Sequence, residues 1–456
     1  MITESYHEWP FHPPEQRSLE ENERWWTRAY LSGVADDQLR GSPHWTLITG
    51  EAGSGKSVAL RAWMRDESRR SFIVPYPPNL WPGAPGAWFR DRPGHLPQMV
   101  AAVGRAAHAH LESHPEDAAS VRPLQREFLR WLLEKMGGAR MFRRLADGLP
   151  EELREAYLAT PREPELFRTF DDPQDVHGLI DELGRLAQGL GYQRVVFVVD
   201  LPGESGAEHS AGVAELFGWL DIAHHPRLAV VVAAPDIVVS EGQVIGRARG
   251  RASVVRARWT EAECRAIAEG HLCLALDRSE GGVRLEELAT AEVLDRAGRA
   301  IAAEYGRPTP GGWVALAETL LYLTAGSPTP LPRPVASADA ALAMWFARHL
   351  KLRVDLRLRG VWRGPRLIRL DEQPFRFLCL LHQRRGAPVN WDDDELRTLA
   401  LSKNNVHSLA ARARKAIEPV KAAPVYLISG RGEGGYWLEN CLEASRTPKS
   451  DNTVTG

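Results

Sequence analysis

Features of proteins made for the cell exterior or the membrane are scarce in this sequence. The chain has 456 residues and four cysteines, which are scattered without C-x-x-C spacing or histidines at metal-binding spacing. This argues against a disulfide framework and a zinc site. No window approaches the ~18 unbroken apolar residues of a membrane helix, and the first residues lack the basic region and apolar run of a signal peptide. We therefore expect a cytoplasmic protein with reduced thiols and no membrane contact.

Overall charge is also small, but its distribution is uneven. The formal net charge is −2, yet residues 346–440 contain 18 lysines and arginines against 10 acidic residues, whereas residues 1–345 contain 37 against 47. A local excess of positive charge is typical of a module that binds a polyanion such as nucleic acid. The sequence therefore predicts such a module near the C-terminal end, joined to an acidic body that does not bind nucleic acid through its charge.

The most informative stretch is residues 50–57, GEAGSGKS, a complete G-x-x-x-x-G-K-[ST] phosphate-binding loop. It follows an apolar run at residues 44–49 that is typical of a buried strand. It precedes residues 57–65, where apolar positions recur every three to four residues as in a helix. An accidental Lys-Ser after a glycine-rich turn is the alternative, but the strand and helix on either side are the context that the motif requires. The chain is therefore predicted to bind a nucleotide.

Each residue type in this loop has a physical task. Gly50, Gly53 and Gly55 allow backbone conformations that turn N–H groups towards the phosphates. Lys56 is predicted to contact the β- and γ-phosphates, and the hydroxyl of Ser57 is predicted to bind Mg²⁺. The start of the helix adds its partial positive charge. We therefore predict ATP and Mg²⁺ as the cofactors of this site.

Asp200 is the second predicted element of the nucleotide site. It follows residues 195–199, an apolar run typical of a strand that is buried on both faces of a parallel sheet. Ligands bind at the carboxyl ends of such strands, so Asp200 is predicted to hold Mg²⁺ through water while Ser57 binds it directly. A core strand that happens to end in Asp is the alternative. Another buried run, residues 228–234, ends at Pro235 without a polar residue suited to sensing a phosphate.

This order of predicted elements, strands followed by a helical segment, resembles that of the AAA+ and STAND families of P-loop ATPases. In those families a helical lid closes over the nucleotide. The resemblance covers about residues 43–325 and implies self-association through the ATPase core. In such lids a G-x-P turn contacts the nucleotide, which assigns Arg307 to cofactor binding. After Asp200 the chain departs from the pattern, because Leu201 replaces the usual water-orienting acid and the nearest acid is Glu204. Asp200 and Glu204 are the catalytic candidates, and we expect a slow ATPase or a nucleotide switch.

The basic C-terminal segment combines strand patterns with three predicted helices. Residues 352–358 and 361–370 alternate apolar and polar positions, as half-buried strands do. In the third helix, residues 404–417, an apolar face lies behind a polar front that is suited to the major groove of DNA. A solvated basic helix is the alternative. The residues of this front are Asn404, His407, Ser408, Ala411, Arg412 and Lys415.

A glycine-rich hairpin follows this helix, with strands predicted at residues 425–428 and 436–439. Residues 352–439 resemble the winged helix-turn-helix of the OmpR/PhoB family of bacterial transcription regulators. The shared features are the leading strands, the Arg412, Arg414 and Lys415 cluster, and the Arg-Gly…Gly-Tyr of the wing. The resemblance implies that the third helix binds double-stranded DNA, with Arg414 among its DNA-binding residues, and that Arg431 enters the minor groove. The segment before residue 406 is shorter than in the family, which weakens the implied contact with RNA polymerase.

These signals together predict an α/β P-loop NTPase core with a helical insertion and a helical lid, followed by a small α+β winged-helix domain. The favoured function is an ATP-binding, DNA-binding regulator in which a nucleotide switch controls the winged helix. The alternatives are an AAA+ ATPase of a mobile-element, replication or phage-defence system anchored by the winged helix, an adaptor that keeps nucleotide as a stabiliser, and a winged helix that binds protein. The predicted segments are a lead-in helix (1–42), the NTPase core (43–258, with its insertion at about 95–190), the lid (259–325), a Pro-rich linker (326–337), the winged helix (338–440) and a disordered tail (441–456).

Overall fold

The computed structural model divides into two compact units. The α/β unit is Ser32–Arg258, and the C-terminal unit combines Met1–Leu31 with Trp259–Gly456. The residues that the structure describes are 7–13, 16–40, 45–84, 87, 94–137, 139–161, 173–202, 209–219, 225–241, 244–248, 252–278, 282–325, 334–400, 402–430 and 435–442.

Strands and helices alternate in the first half of the chain, and helices predominate after it. The strands are β1 (Trp45–Gly50), β2 (Ser71–Pro75), β3 (Arg194–Asp200), β4 (Leu228–Pro235), β5 (Ser253–Arg256), β6 (Leu352–Asp355), β7 (Gly360–Arg363), β8 (Arg366–Arg369), β9 (Leu427–Ser429) and β10 (Tyr436–Leu438). The helices are α1 (Leu19–Arg28), α2 (Val34–Arg40), α3 (Lys56–Glu67), α4 (His95–Ser113), α5 (Pro123–Gly137), α6 (Ala139–Asp147), α7 (Glu151–Leu158), α8 (Pro173–Gly189), α9 (Ser210–Gly218), α10 (Asp236–Glu241), α11 (Val244–Ala248), α12 (Glu261–Ala275), α13 (Leu285–Leu288), α14 (Ala291–Tyr305), α15 (Pro310–Ala325), α16 (Ala338–His349), α17 (Glu372–Gln383), α18 (Asp394–Ala400) and α19 (Lys403–Ile417).

A five-stranded parallel sheet in the order β2-β3-β4-β1-β5 forms the centre of the α/β unit. Its strands are apolar runs because both faces are covered, and successive side chains enter two different core clusters. The register pairs Thr49 of β1 with Ala234 of β4, and Asp200 of β3 with Ala233 of β4. The carboxyl ends of β1, β3 and β4 therefore lie side by side at one edge of the sheet.

Helices α4 to α8 form the helical insertion between β2 and β3, as the periodicity of residues 95–190 predicts. Their apolar faces join the core on one side of the sheet. Phe128, Leu132 and Tyr157 are among the buried side chains of this layer. In the described part of the chain, no helix is long and apolar enough to cross a bilayer.

The C-terminal unit has one continuous hydrophobic core that extends from α12 to β10. Its largest buried side chains include Trp313, Trp345 and Phe377. Helix α1 packs against α12 in this unit, and Trp25 Nε1 donates a hydrogen bond to His271 Nε2 over 2.9 Å. Burial lowers the pKa of His271 to about 4, so the ring is a neutral acceptor at physiological pH. The first helix is therefore part of the C-terminal unit.

The end of the chain contains two small antiparallel sheets. Strands β6, β7 and β8 form a three-stranded sheet, and β9 and β10 form a hairpin. Two strands were predicted between residues 352 and 370, but there are three, because Gly364 takes a left-handed φ of 54° and turns the chain at Gly364-Pro365. The predicted disordered tail is also wrong at its start, where Leu442 N–H donates to the Leu352 carbonyl over 2.7 Å.

The predicted linker does not coincide with the division into units. Residues 326–333 lie outside the described residues, but the helices before and after them share one core. Val335 forms backbone hydrogen bonds with Leu288 and Thr290, on the lid side of the linker. The proline-rich segment separates two helices, but buried residues of both helices belong to one hydrophobic core and therefore to one unit.

Candidate functional site

The phosphate-binding loop joins β1 to α3 in the conformation that its glycines allow. Gly53 and Gly55 have φ values of 69° and 83°, and Gly55 is the left-handed N-cap of α3. Gly50 is needed for close packing, because a Cβ there would lie 2.6 Å from Ser54 Oγ and 3.0 Å from the Ala257 carbonyl oxygen. The loop is thus a tight cradle at the N-terminus of a helix, where backbone N–H groups and the helix dipole favour an anion.

Lys56 is the buried cation of this cradle. Its Nζ donates hydrogen bonds to the carbonyl oxygens of Gly50, over 2.9 Å, and Glu51, over 2.8 Å. Burial lowers the pKa of Lys56 to about 8, although the nearby carboxylates of Asp236, Asp200 and Glu51 act in the opposite direction. The amine is thus hydrogen-bonded to carbonyl oxygens of the loop itself, and a bound phosphate would compete with these carbonyls for its N–H groups.

Ser57 and Asp200 meet at the carboxyl edge of the sheet. The Ser57 hydroxyl donates to Asp200 Oδ1 over 2.8 Å, although 142 residues separate them in the sequence. One hydroxyl and one carboxylate match the way Mg²⁺ binds in phosphate sites, where it takes few protein ligands and keeps water and phosphate oxygens. Ser57 and Asp200 therefore fit the predicted magnesium, together with the phosphates of a nucleotide.

Asp236 is a further acidic residue of the site that the sequence analysis missed. It is the first residue of α10, directly after β4, and its Oδ1 accepts a hydrogen bond from the Thr49 hydroxyl at the end of β1. Among the nearby carboxylates, Asp236 has the largest effect in raising the pKa of Lys56. Asp236 directly follows Pro235 in the sequence, but its proximity to Thr49 depends on the pairing of β1 with β4.

The remaining predicted nucleotide-site residues are Glu204 and Arg307, and Leu201 is the residue that replaces the usual acid. Glu204 lies outside the described residues. Leu201 is fully buried, and its N–H donates to the Ala233 carbonyl over 2.9 Å. Arg307 belongs to the C-terminal unit, where it follows Gly306, the left-handed C-cap of α14 with a φ of 78°.

The fold and this site define the class of protein. A five-stranded parallel sheet with a phosphate-binding loop between β1 and α3, and an aspartate at the end of β3, is an α/β P-loop NTPase core. No family model matches the chain, and no curated protein matches its sequence.

Two solved structures are similar to this chain at low identity. The Aeropyrum pernix ORC1 protein in complex with DNA is 14% identical, with 93% of this chain and 94% of that chain covered and a TM-score of 0.35. Cdc6p from Pyrobaculum aerophilum is 11% identical, with 96% and 94% covered and a TM-score of 0.30.

Helix α19 presents the polar front that the sequence predicts. Val406, Leu409 and Ala413 are among its buried apolar residues. The exposed residues are Asn404, His407, Ser408, Ala411, Arg412 and Lys415. Helix α19 is therefore amphipathic in the predicted sense.

Three candidate DNA-binding residues of α19 have contacts inside the unit. His407 Nδ1 and the Tyr436 hydroxyl of β10 are hydrogen-bonded at 2.6 Å. Arg414 is half-buried, and its Nε donates to the Leu427 carbonyl of β9 over 3.1 Å. Arg412 Nη2 donates to Gln373 Oε1 over 3.2 Å. Arg414 and His407 therefore connect α19 to the hairpin, and Arg431 at the hairpin tip lies outside the described residues.

Proposed function

We propose that this chain is an ATP-binding, DNA-binding regulatory protein in which an AAA+ or STAND-type nucleotide switch controls an OmpR/PhoB-like winged helix. The observation that carries the nucleotide half is the hydrogen-bonded pair Ser57–Asp200 beside the buried amine of Lys56. When bound there, Mg²⁺ supplies positive charge at the phosphate oxygens. Lys56 supplies the side-chain charge, and the loop N–H groups orient the phosphates.

Slow hydrolysis belongs to this proposal. Leu201 occupies the place of the usual water-orienting acid and is buried, so it offers no oxygen to a water molecule. The described carboxylates near Lys56 are those of Asp236, which accepts from Thr49, of Asp200, which accepts from Ser57, and of Glu51. A site that retains ATP longer than it hydrolyses it is suited to a switch.

The exposed front of α19 supports the DNA half of the proposal. Asn404 and Ser408 lie on this front, where amide and hydroxyl groups suit the edges of bases in the major groove. Arg412 and Lys415 lie further along the same front and suit phosphates. Contacts of Tyr436 and Leu427 with α19 hold the hairpin against this helix, which supports the proposal that the hairpin acts as a wing.

Substitutions on α19 test the DNA half. A preferred site would first be selected from a random duplex pool with the full chain. Asn404→Ala and Ser408→Ala are expected to reduce discrimination between this site and a mixed-sequence duplex by ~1–3 kcal/mol for each lost base contact. Arg412→Gln and Lys415→Gln are expected to weaken binding to all sequences and to reduce the salt slope by about one each.

The matched control for these variants is Gln383→Ala. Gln383 is an exposed amide at the end of α17, so its removal tests for general effects on the unit. Unchanged sequence preference in folded Asn404→Ala and Ser408→Ala variants would contradict base reading by α19.

A further inference from the structure

The positive charge of the C-terminal segment is concentrated on the three-stranded sheet rather than on α19. Residues 351–369, which span β6 to β8, contain seven lysines and arginines against one acidic residue. Residues 402–440, which contain α19 and the hairpin, have six against three. The intervening residues 370–401 have four against six. The sheet therefore provides most of the positive surplus that the sequence analysis assigned to the whole module.

The strand register separates the two faces of this sheet. One lateral row joins Val354, Val361 and Ile368, of which Val361 and Ile368 are buried in the core. The next row joins Arg353, Trp362 and Leu367 and points to the opposite side, because side chains alternate along a strand. The guanidinium of Arg353 lies over the Trp362 ring, 5.6 Å from its centroid. The outer face therefore has an ordered Arg353, beside Asp355, whose Oδ2 accepts a hydrogen bond from Trp362 Nε1 over 3.0 Å.

Four exposed arginines define what we call the arginine face: Arg353, Arg357, Arg359 and Arg369. Among the described residues, no carboxylate lies within 4.0 Å of these four guanidinium groups. Arg363 and Arg366 of the same sheet differ, because both pair with Glu304. Arg357, Arg359 and Arg369 thus hold charge that no ion pair of the described residues neutralises, whereas Arg353 interacts electrostatically with the Asp355 carboxylate.

The three-stranded sheet that carries Arg353 and Arg369 contacts the proposed DNA-binding helix on its core side. Arg363 Nη1, on β7 of the same sheet, donates to the carbonyl of Ile417, the last residue of α19, over 2.7 Å. A helix of 15 residues is about 22 Å long. Because Arg363 alternates with Trp362 along β7, the C-terminal end of α19 packs against the core side of the sheet, opposite its outer face.

We propose that the arginine face binds the phosphate backbone of duplex DNA outside the segment that α19 contacts. This inference rests on the proposed function, because it extends the interface of the same unit. Guanidinium groups bind phosphates through paired N–H donors. Arg353 and Arg369 lie on β6 and β8, and Arg357 and Arg359 lie in the turn between β6 and β7. The face would contribute affinity without sequence preference, as phosphate contacts do.

The test compares two charge-matched variants of the full chain on a mixed-sequence duplex. The face variant is Arg353→Gln, Arg357→Gln, Arg359→Gln and Arg369→Gln. The control variant is Arg376→Gln, Arg384→Gln, Arg385→Gln and Arg397→Gln, which removes the same charge from exposed positions between β8 and α19. The slope of log affinity against log salt is expected to fall by about two to four in the face variant, at ~0.9 per phosphate contact. The control variant is expected to keep a slope within about one of the parent.

The outcomes separate this inference from the proposed function. Equal slopes for the face and control variants overturn the inference, while loss of sequence preference on changing Asn404 or Ser408 would still support base reading. A lower slope only in the face variant supports the inference even if those α19 variants have no effect.

Vesicles containing phosphatidylserine are tested as a second anionic ligand. An exposed apolar side chain beside arginines also suits an anionic membrane surface, and Leu356 is 70% exposed. Vesicle binding that is lost in the face variant, with duplex binding unchanged, would assign the face to a membrane surface and overturn the inference.

Discussion

Lys56→Ala is expected to weaken Mg-ATP binding at least about tenfold, or ~1.4 kcal/mol. The buried amine of Lys56 is the main side-chain charge of the phosphate-binding loop, and among the described residues it donates hydrogen bonds to the carbonyls of Gly50 and Glu51. Isothermal titration of the full chain with ATP and Mg²⁺ measures this directly. Arg69→Ala, an exposed change after α3, is the matched control. Parent-like ATP binding by Lys56→Ala would contradict the phosphate-site assignment.

The pH dependence of ATP binding tests the same amine without a mutation. In the free protein the pKa of Lys56 is about 8, lowered by burial. A phosphate stabilises the charged form, so below pH 8 the amine is already protonated and above it binding must take up a proton. Affinity is therefore expected to fall as the pH rises through about 8, and this fall should be absent in Lys56→Ala. Equal affinity of the parent at pH 7 and pH 9.5 would contradict the coupling of ATP binding to an amine whose pKa is about 8.

Arg363→Ala is expected to destabilise the C-terminal unit by ~3–5 kcal/mol, as breaking a buried ion pair does. The side chains of Arg363 and Glu304 are only 6% and 3% exposed. Arg363 donates to both carboxylate oxygens of Glu304 on α14 and to the Ile417 carbonyl at the end of α19. Its removal leaves Glu304 with Arg366, at 3.2 Å, as its remaining cation in the described structure.

Denaturant unfolding of the full chain, followed by a signal from the C-terminal unit, measures this loss. The double variant Glu304→Leu/Arg363→Met serves as the control, because an apolar pair leaves no buried charge and is expected to cost less than Arg363→Ala alone. Arg376→Ala, which breaks an exposed ion pair with Glu372, should cost within ~1 kcal/mol. A loss of less than ~1 kcal/mol for Arg363→Ala would show that the pair is not a major source of stability.

The parts of the site that could be predicted from the sequence are those formed by residues that are contiguous in the chain. Residues 50–57 carry their chemistry in a contiguous motif, and Asp200 ends an apolar run that only a buried strand explains. Asp236 needed the register of two distant strands, because its proximity to Thr49 follows from the pairing of β1 with β4. Neither strand alone contains that information.

Side-chain partners and domain boundaries could not be predicted from the sequence either, because both depend on contacts between distant segments of the chain. The front of α19 follows from helical periodicity, but the contacts of His407 and Arg414 depend on how the hairpin packs against it. The proline-rich stretch at residues 326–337 looked like a boundary, yet α15 and α16 on its two sides share one core. Composition reports local chain stiffness, whereas the division into units depends on long-range burial.

The central claim, that nucleotide at the phosphate-binding loop controls DNA binding, is tested most directly by one affinity measurement. The full chain is titrated with duplex DNA in the absence of nucleotide, with saturating Mg-ATP and with Mg-ADP, and Lys56→Ala is titrated in parallel. We predict that DNA affinity of the parent changes by about fivefold or more between nucleotide states, a coupling of ~1 kcal/mol or more. Lys56→Ala should bind DNA with one affinity in all three states. A parent chain that binds ATP and DNA, yet has the same DNA affinity with and without nucleotide, would contradict the claim.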